Sequence, residues 1–161
     1  MDTRIFVSYA RPDVRIVGQL VRFLQVGAGF DTWFDLHKLL PGNDWRFVIK
    51  QEIANARLII LCLSSKSVDR TGFFQKELRL ALEQAELRPQ GEMFIMPVRL
   101  NRCPLPPCIA HLHVLDMFGD EATCRLLDAI RAATGDGARA TNEEHARLTK
   151  GIRDYNTKNA A

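Results

Sequence analysis

The chain has 161 residues, of which 47% are hydrophobic and 25% charged, as is typical of one globular domain. The formal net charge is only +3, and Lys and Arg are dispersed along the chain, which disfavours direct nucleic-acid binding. No apolar run approaches the ~18 residues of a membrane span, and the N-terminus has no signal-peptide pattern. These features predict a cytoplasmic protein that does not contact a membrane.

Five short apolar runs alternate with segments of helical periodicity, and this alternation predicts a parallel sheet with helices on its faces. The third run has six consecutive apolar residues, as expected of a central strand that is covered on both sides. Asp13 is a candidate N-cap of the first helix. The predicted strands are residues 4–9, 30–34, 58–63, 93–98 and 112–116.

The composition changes after Thr134, where the chain becomes polar and keeps only Leu148 and Ile152 as sizeable aliphatic residues. We therefore expect one domain over residues 1–134. Residues 135–161 are predicted to be a linker and tail, holding either a loosely attached helix or the start of a fused element.

Glu77 lies at the border of an apolar helix face. Two interpretations are open for a carboxylate there: it extends out of the edge of the core to reach water, or it lines a cleft. For an isolated Glu on an amphipathic helix, the first is the more common. The apolar face consists of Phe74, Leu78, Ala81, Leu82 and Ala85.

Several short motifs occur in an order and spacing that resemble one family. They are Ile-Phe-Val-Ser-Tyr-Ala at residues 5–10, Gly-Phe-Asp-Thr-Trp-Phe-Asp at 29–35, Leu-Leu-Pro-Gly-Asn-Asp-Trp at 39–45, Ala-Arg at 56–57, Leu-Ser-Ser at 63–65 and Lys-Glu-Leu at 76–78. With these motifs, residues 4–133 resemble a bacterial Toll/interleukin-1 receptor (TIR) domain. The resemblance implies a flavodoxin-like α/β fold with a five-stranded parallel sheet in the order 2-1-3-4-5 and helices on both faces.

The resemblance also implies an activity. In enzymatic TIR domains, a glutamate on this helix is the catalytic residue that cleaves NAD+ into nicotinamide and ADP-ribose or a cyclic isomer, and Glu77 matches it. Cleavage creates an oxocarbenium-like ribose, which a nearby carboxylate stabilises. Nicotinamide leaves as a neutral molecule, so no second carboxylic acid is needed. NAD+ is thus the expected substrate, and no cofactor is expected.

The substrate-binding residues carried over from the family lie near the carboxyl ends of the strands. Arg11 matches a basic position that faces the pyrophosphate, although a solvated Arg is as good an interpretation. His37 falls where some relatives have an acidic residue, and Phe73 replaces a Trp four residues before the glutamate. Structural roles remain open for several of these residues. The full set is Tyr9, Ala10, Arg11, Asp35, His37, Trp45, Ser65 and Phe73.

A Cys and His group near the fourth strand is compatible with zinc in ligand type but departs from the usual spacing, so no metal site is expected. Its members are Cys103, Cys108, His111 and His113.

Three functional classes compete for this chain. The first is an NAD+ glycohydrolase in antiphage defence signalling; the others are a non-catalytic TIR–TIR interaction module and a nucleotide-binding sensor. The resemblance implies homo-oligomerisation through the loop over residues 36–44, which would complete the cleft of a neighbouring subunit. An activating partner or a fused sensor domain would then control assembly.

Overall fold

The computed structural model describes residues 4–34, 40–68, 73–135 and 139–159. Its strands are β1 (Arg4–Ser8), β2 (Asp31–Trp33), β3 (Leu58–Leu63), β4 (Ile95–Arg99) and β5 (Leu115–Asp116). All pairings are parallel, and the five strands lie in the order β2-β1-β3-β4-β5. The predicted fold class and strand order are confirmed.

The helices cover both faces of the sheet. They are α1 (Val14–Arg22), α2 (Trp45–Asn55), α3 (Phe73–Glu86), α4 (Ala122–Thr134) and α5 (Asn142–Lys158). α1 continues into one π-helical turn, Phe23–Gly27, and is preceded by a 3-10 turn, Arg11–Asp13. Side chains cap α2 and α5, since Asp44 accepts hydrogen bonds from the backbone amides of Arg46 and Phe47 and Thr141 accepts one from that of Glu144.

All six residues of β3 are buried, in agreement with its predicted central position. Successive side chains point to opposite faces of the sheet. Leu58, Ile60 and Cys62 pack with α1, α4 and α5, whereas Ile59 packs with residues of α2 and α3. The sheet therefore separates two apolar layers.

The fifth strand is shorter than predicted. Residues 112–114 do not pair, because the proline-rich segment before them forms a 3-10 turn, Pro107–Ile109, and a further turn that closes at Leu112. The remaining strand is fixed by Arg99, whose guanidinium donates two hydrogen bonds to the Asp116 carboxylate, at 2.6 and 2.9 Å.

Residues 142–158, within the segment assigned to a tail, form the packed helix α5. Its Leu148 and Ile152 are each 2% exposed and belong to the apolar layer that also contains α1 and α4. The boundary between domain and tail stays a prediction. Within the described ranges, no helix has both the length and the apolar character that a membrane crossing requires.

Candidate functional site

Glu77 lies in the interior, where α3 crosses the carboxyl end of β1. It is only 5% exposed, and its Oε2 accepts a hydrogen bond of 2.9 Å from the Ser8 hydroxyl. Ser8 is the last residue of β1 and is itself buried. The carboxylate therefore does not extend into solvent. Of the two interpretations of the sequence, the more common one, a side chain that reaches water, does not apply.

Burial raises the pKa of Glu77 to about 8, and the hydrogen bond from Ser8 opposes that rise only in part. Desolvation disfavours the charged carboxylate, whereas a hydroxyl donor favours it. Without a ligand, the side chain is mostly protonated at neutral pH. A positive charge placed beside it would favour ionisation.

A cavity of about 260 Å³ borders Glu77 between α2 and α3. Trp45 forms part of its wall and is 37% exposed, and the Lys76 ammonium lies 5.9 Å from the Trp45 ring centroid. The structure thus brings two of the predicted site residues, Glu77 and Trp45, to one cavity. The other lining residues are Arg46, Ile49, Lys50, Lys76, Arg79, Leu80 and Glu83.

Four cationic side chains and two carboxyl groups line this cavity, and only Glu77 among them is buried. Their surplus of positive charge suits an anionic ligand such as a phosphate ester. Sequence reasoning did not select these cations, because dispersed Lys and Arg on helices are usually solvated.

The predicted residues that follow β1 have different environments. Tyr9 is half-buried with its ring centroid 5.1 Å from that of Phe34, and Ala10 is buried. Arg11 is exposed and begins the 3-10 turn. All three directly follow Ser8, so they lie next to the Ser8–Glu77 pair along the chain.

Ser65 is engaged on the opposite side of β3, with Asn101. Its backbone N–H donates to Asn101 Oδ1 and its hydroxyl accepts from Asn101 Nδ2, both at 2.9 Å. Asp35 and His37 lie outside the described residues, as does the side chain of Phe73.

Asp13 occupies the N-cap position of α1, as predicted, but its side chain makes no capping hydrogen bond. The carboxylate is buried instead and accepts hydrogen bonds from Ser64 and from Tyr155. No sequence pattern indicated this contact, since Tyr155 lies in the polar tail.

The Cys and His residues near β4 do not form a cluster. Cys103 is buried, while Cys108, His111 and His113 are exposed. No group of three or more His, Cys, Asp or Glu side chains within the described ranges is placed to hold a metal ion.

A larger cavity of about 680 Å³ lies beside β4, between α3 and α4. Its wall is mostly apolar and includes the segment 93–97. None of the described residues that line it is a buried acid, so it is a weaker candidate for catalysis than the smaller cavity at Glu77.

Comparison with known proteins assigns the chain to a family. A sequence profile described as TIR domain matches residues 5–128. There is no significant match among curated proteins.

Solved structures share the fold at low sequence identity. The TIR domain of the Toll-related receptor TRR-2 from Hydra magnipapillata has a TM-score of 0.65 and 22% identity, covering 79% of this chain and 97% of that one. A TIR-STING receptor from C. gigas, solved with 2′,3′-cGAMP, has a TM-score of 0.63 and 21% identity over 78% of this chain and 38% of its own. A prokaryotic SEFIR domain has a TM-score of 0.58 and 14% identity, covering 83% of this chain and 99% of its own.

Proposed function

The chain belongs to the TIR domain family, and from this membership together with the site we infer that it is an NAD+ glycohydrolase. The products would be nicotinamide and ADP-ribose or a cyclic ADP-ribose isomer. The observation that carries the proposal is the buried carboxyl group of Glu77, which Ser8 orients beside a cavity walled by Trp45.

The reaction breaks the bond between the ribose C1′ and the nicotinamide nitrogen. The bonding electron pair leaves with nicotinamide, which becomes neutral, and positive charge develops on the ribose. The Glu77 carboxylate stabilises this charge, and the low polarity around it strengthens the attraction. Water then adds to C1′ and loses a proton, or a nucleophile within ADP-ribose attacks C1′ and closes a ring.

The raised pKa of Glu77 fits this mechanism if the substrate ionises the catalytic group. The nicotinamide ring of NAD+ carries a positive charge, and an opposite charge within about 4–6 Å lowers the pKa of a carboxyl group. NAD+ binding would therefore convert Glu77 into the carboxylate that the reaction needs. The free protein avoids the cost of a buried charge below pH 8.

Phosphate recognition falls to the cations of the cavity. The Lys76 ammonium and the Arg46 guanidinium lie near Trp45, at 5.9 and 5.3 Å from its ring centroid. An aromatic wall with cations beside it suits a ligand that combines flat rings with a pyrophosphate. Tyr9, Ala10 and Arg11, which directly follow Ser8 along the chain, remain candidate substrate contacts.

The test is nicotinamide release, followed by chromatography, from the wild type and two matched variants. Glu77→Gln keeps the size and the hydrogen bond to Ser8 but cannot ionise, so release should fall by at least about 100-fold. Glu83→Gln changes an exposed carboxyl group on the same helix and cavity, and it should retain activity. All three proteins are assayed at high concentration, because assembly is expected to be required.

The outcomes separate the competing functions. If the wild type never releases nicotinamide, even when assembled, the proposal that it is an NAD+ glycohydrolase is wrong. Binding of NAD+ without turnover would identify a nucleotide sensor. Self-association without binding would identify an interaction module.

We also propose the cellular setting that the family suggests, a cytoplasmic role in antiphage defence signalling. In this setting, homo-oligomerisation through residues 36–44 activates the enzyme, and an activating partner or a fused sensor domain triggers it. Size-exclusion chromatography combined with the activity assay tests whether homo-oligomerisation activates the enzyme. Activity that is independent of protein concentration, in a protein that stays monomeric, would contradict it.

A further inference from the structure

Asp13 is a buried carboxylate that the proposed reaction does not use. It is 1% exposed and ends the 3-10 turn after β1. One carboxylate oxygen accepts a hydrogen bond of 2.5 Å from the Ser64 hydroxyl, and the other accepts one of 2.7 Å from the Tyr155 hydroxyl. Asp13 therefore joins the end of β1 to the end of β3 and to α5.

The segment between Ser8 and Asp13 contains Tyr9, Ala10 and Arg11, which are the candidate substrate contacts. Side-chain hydrogen bonds hold both of its ends: the buried bonds from Ser8 to Glu77 and from Ser64 to Asp13, and the part-buried bond from Tyr155 to Asp13. A backbone bond of 2.9 Å from the Asp13 N–H to the Ala10 carbonyl closes the turn between them. The position of this segment thus depends on Asp13.

The Tyr155 contact comes from outside the family match, which ends at residue 128. α5 is firmly placed, because Ile152 is buried and Asn156 Nδ2 donates a 2.9 Å hydrogen bond to the Leu100 carbonyl. Burial, and next the hydrogen bond to Asp13, raise the pKa of the Tyr155 phenol well above its ordinary range. The hydroxyl consequently stays protonated and keeps donating at any physiological pH.

We propose that Tyr155 is a positioning residue, which holds the segment 9–12 through Asp13 in the conformation that binds the dinucleotide. This inference rests on the proposed function for the identity of the ligand. Tyr155 does not touch the reacting atoms, so it acts on substrate affinity and leaves the chemical step unchanged.

The first measurement needs no ligand. Tyr155→Phe removes only the hydroxyl, and Thr157→Ala, on an exposed position of α5, removes a hydroxyl that donates to the Arg153 carbonyl of the same helix. Hydrogen exchange followed by NMR reports on the amides of Asp13 and Lys66, which bond to the Ala10 carbonyl and to Ser64 Oγ. Tyr155→Phe should speed their exchange roughly tenfold, as expected for losing one hydrogen bond to a buried charge.

The second measurement is affinity. In the Glu77→Gln background, where turnover should be at least about 100-fold slower, calorimetric titration with NAD+ gives the Kd. Adding Tyr155→Phe should raise the Kd about tenfold, and adding Thr157→Ala should leave it unchanged. In the active protein, Tyr155→Phe should raise KM and leave kcat within about twofold.

Three results for Tyr155→Phe would each overturn the positioning role. They are faster exchange confined to α5, unchanged exchange at Asp13 and Lys66, and a fall in kcat at constant KM. Asp13→Asn tests the same contact from the other partner. Its side chain replaces one accepting oxygen with an NH2 group, which cannot accept a hydrogen bond from Ser64 or Tyr155. It should reproduce the faster exchange. A protein that binds no NAD+ refutes the proposed function, and the exchange result then decides separately whether α5 holds the segment.

Discussion

Replacing Glu77 by Gln should make the protein more stable at high pH. The carboxyl group is 5% exposed, and burial raises its pKa to about 8 from the ordinary value of 4.5. The folded state therefore binds a proton that the unfolded chain has lost, and folding becomes less favourable as the pH rises between these two values. Gln has the same shape and can bond to Ser8, but it does not ionise.

The size of the effect follows from the pKa change. Each tenfold change in a dissociation constant is worth about 1.36 kcal/mol, so a pKa that rises from 4.5 to about 8 costs roughly 4–5 kcal/mol once Glu77 is fully ionised. Between pH 5 and pH 9, the wild type should thus lose about 4 kcal/mol relative to Glu77→Gln. Domains of this size have only about 5–15 kcal/mol of total stability, so the difference is large.

The assay is urea unfolding followed by circular dichroism, at unit steps from pH 5 to pH 9, for the wild type, Glu77→Gln and the control Glu83→Gln. The difference between the wild type and Glu77→Gln isolates one group from all other titrations, provided that the m-values agree. Glu83→Gln, an exposed change on the same helix, should run parallel to the wild type. If Glu77→Gln also runs parallel, or loses stability relative to the wild type as the pH rises, the assignment of a buried protonated carboxyl group is wrong.

Three further predictions concern the neighbours of this group and the packing of α5. Ser8→Ala removes the hydrogen bond that lowers the pKa of Glu77, so that pKa should rise further. In the urea assay, the stability of Ser8→Ala relative to Ser8→Ala/Glu77→Gln should therefore keep falling to a higher pH than the stability of the wild type relative to Glu77→Gln. Trp45→Ala should raise KM for NAD+ about tenfold while Trp45→Phe retains affinity, and equal KM values would contradict a binding role. Ile152→Ala should lower the free energy of unfolding by about 2–4 kcal/mol in the same urea assay, against less than about 0.5 for the exposed Thr157→Ala, if α5 is an integral part of the core.

The sheet could be predicted because its signal is local. Six consecutive apolar residues mark β3, because helices cover both faces of a central parallel strand and every side chain of the strand is therefore buried. β5 was harder to predict, because its two paired residues are fixed by a contact with Arg99 on another strand rather than by their own pattern. Periodicity over residues 112–116 could not distinguish a strand from a turn stiffened by the preceding prolines.

The contacts at the site could not be read from local pattern at all. Ser8 and Glu77 are 69 residues apart, and Asp13 and Tyr155 are 142 apart. Asp before a helix normally predicts a cap, and that expectation held for the position of Asp13 but not for its hydrogen bonds. Tyr155 had no sequence signal, since a polar helix with only two sizeable aliphatic residues looks weakly attached until its partners are known.

Stability alone does not account for the residue at position 77. A buried carboxyl group that lowers the free energy of unfolding by several kcal/mol above pH 8 contributes nothing that Gln could not supply at lower cost, because Gln fills the same space and bonds the same hydroxyl. The other buried acid, Asp13, receives two hydroxyl donors and joins three elements of the fold. Among the residues that the structure describes, Glu77 receives one donor, Ser8, and it borders a cavity lined by four cations. Its ionisable oxygen is therefore better explained by a ligand whose positive charge it meets, as the nicotinamide ring of NAD+ would provide.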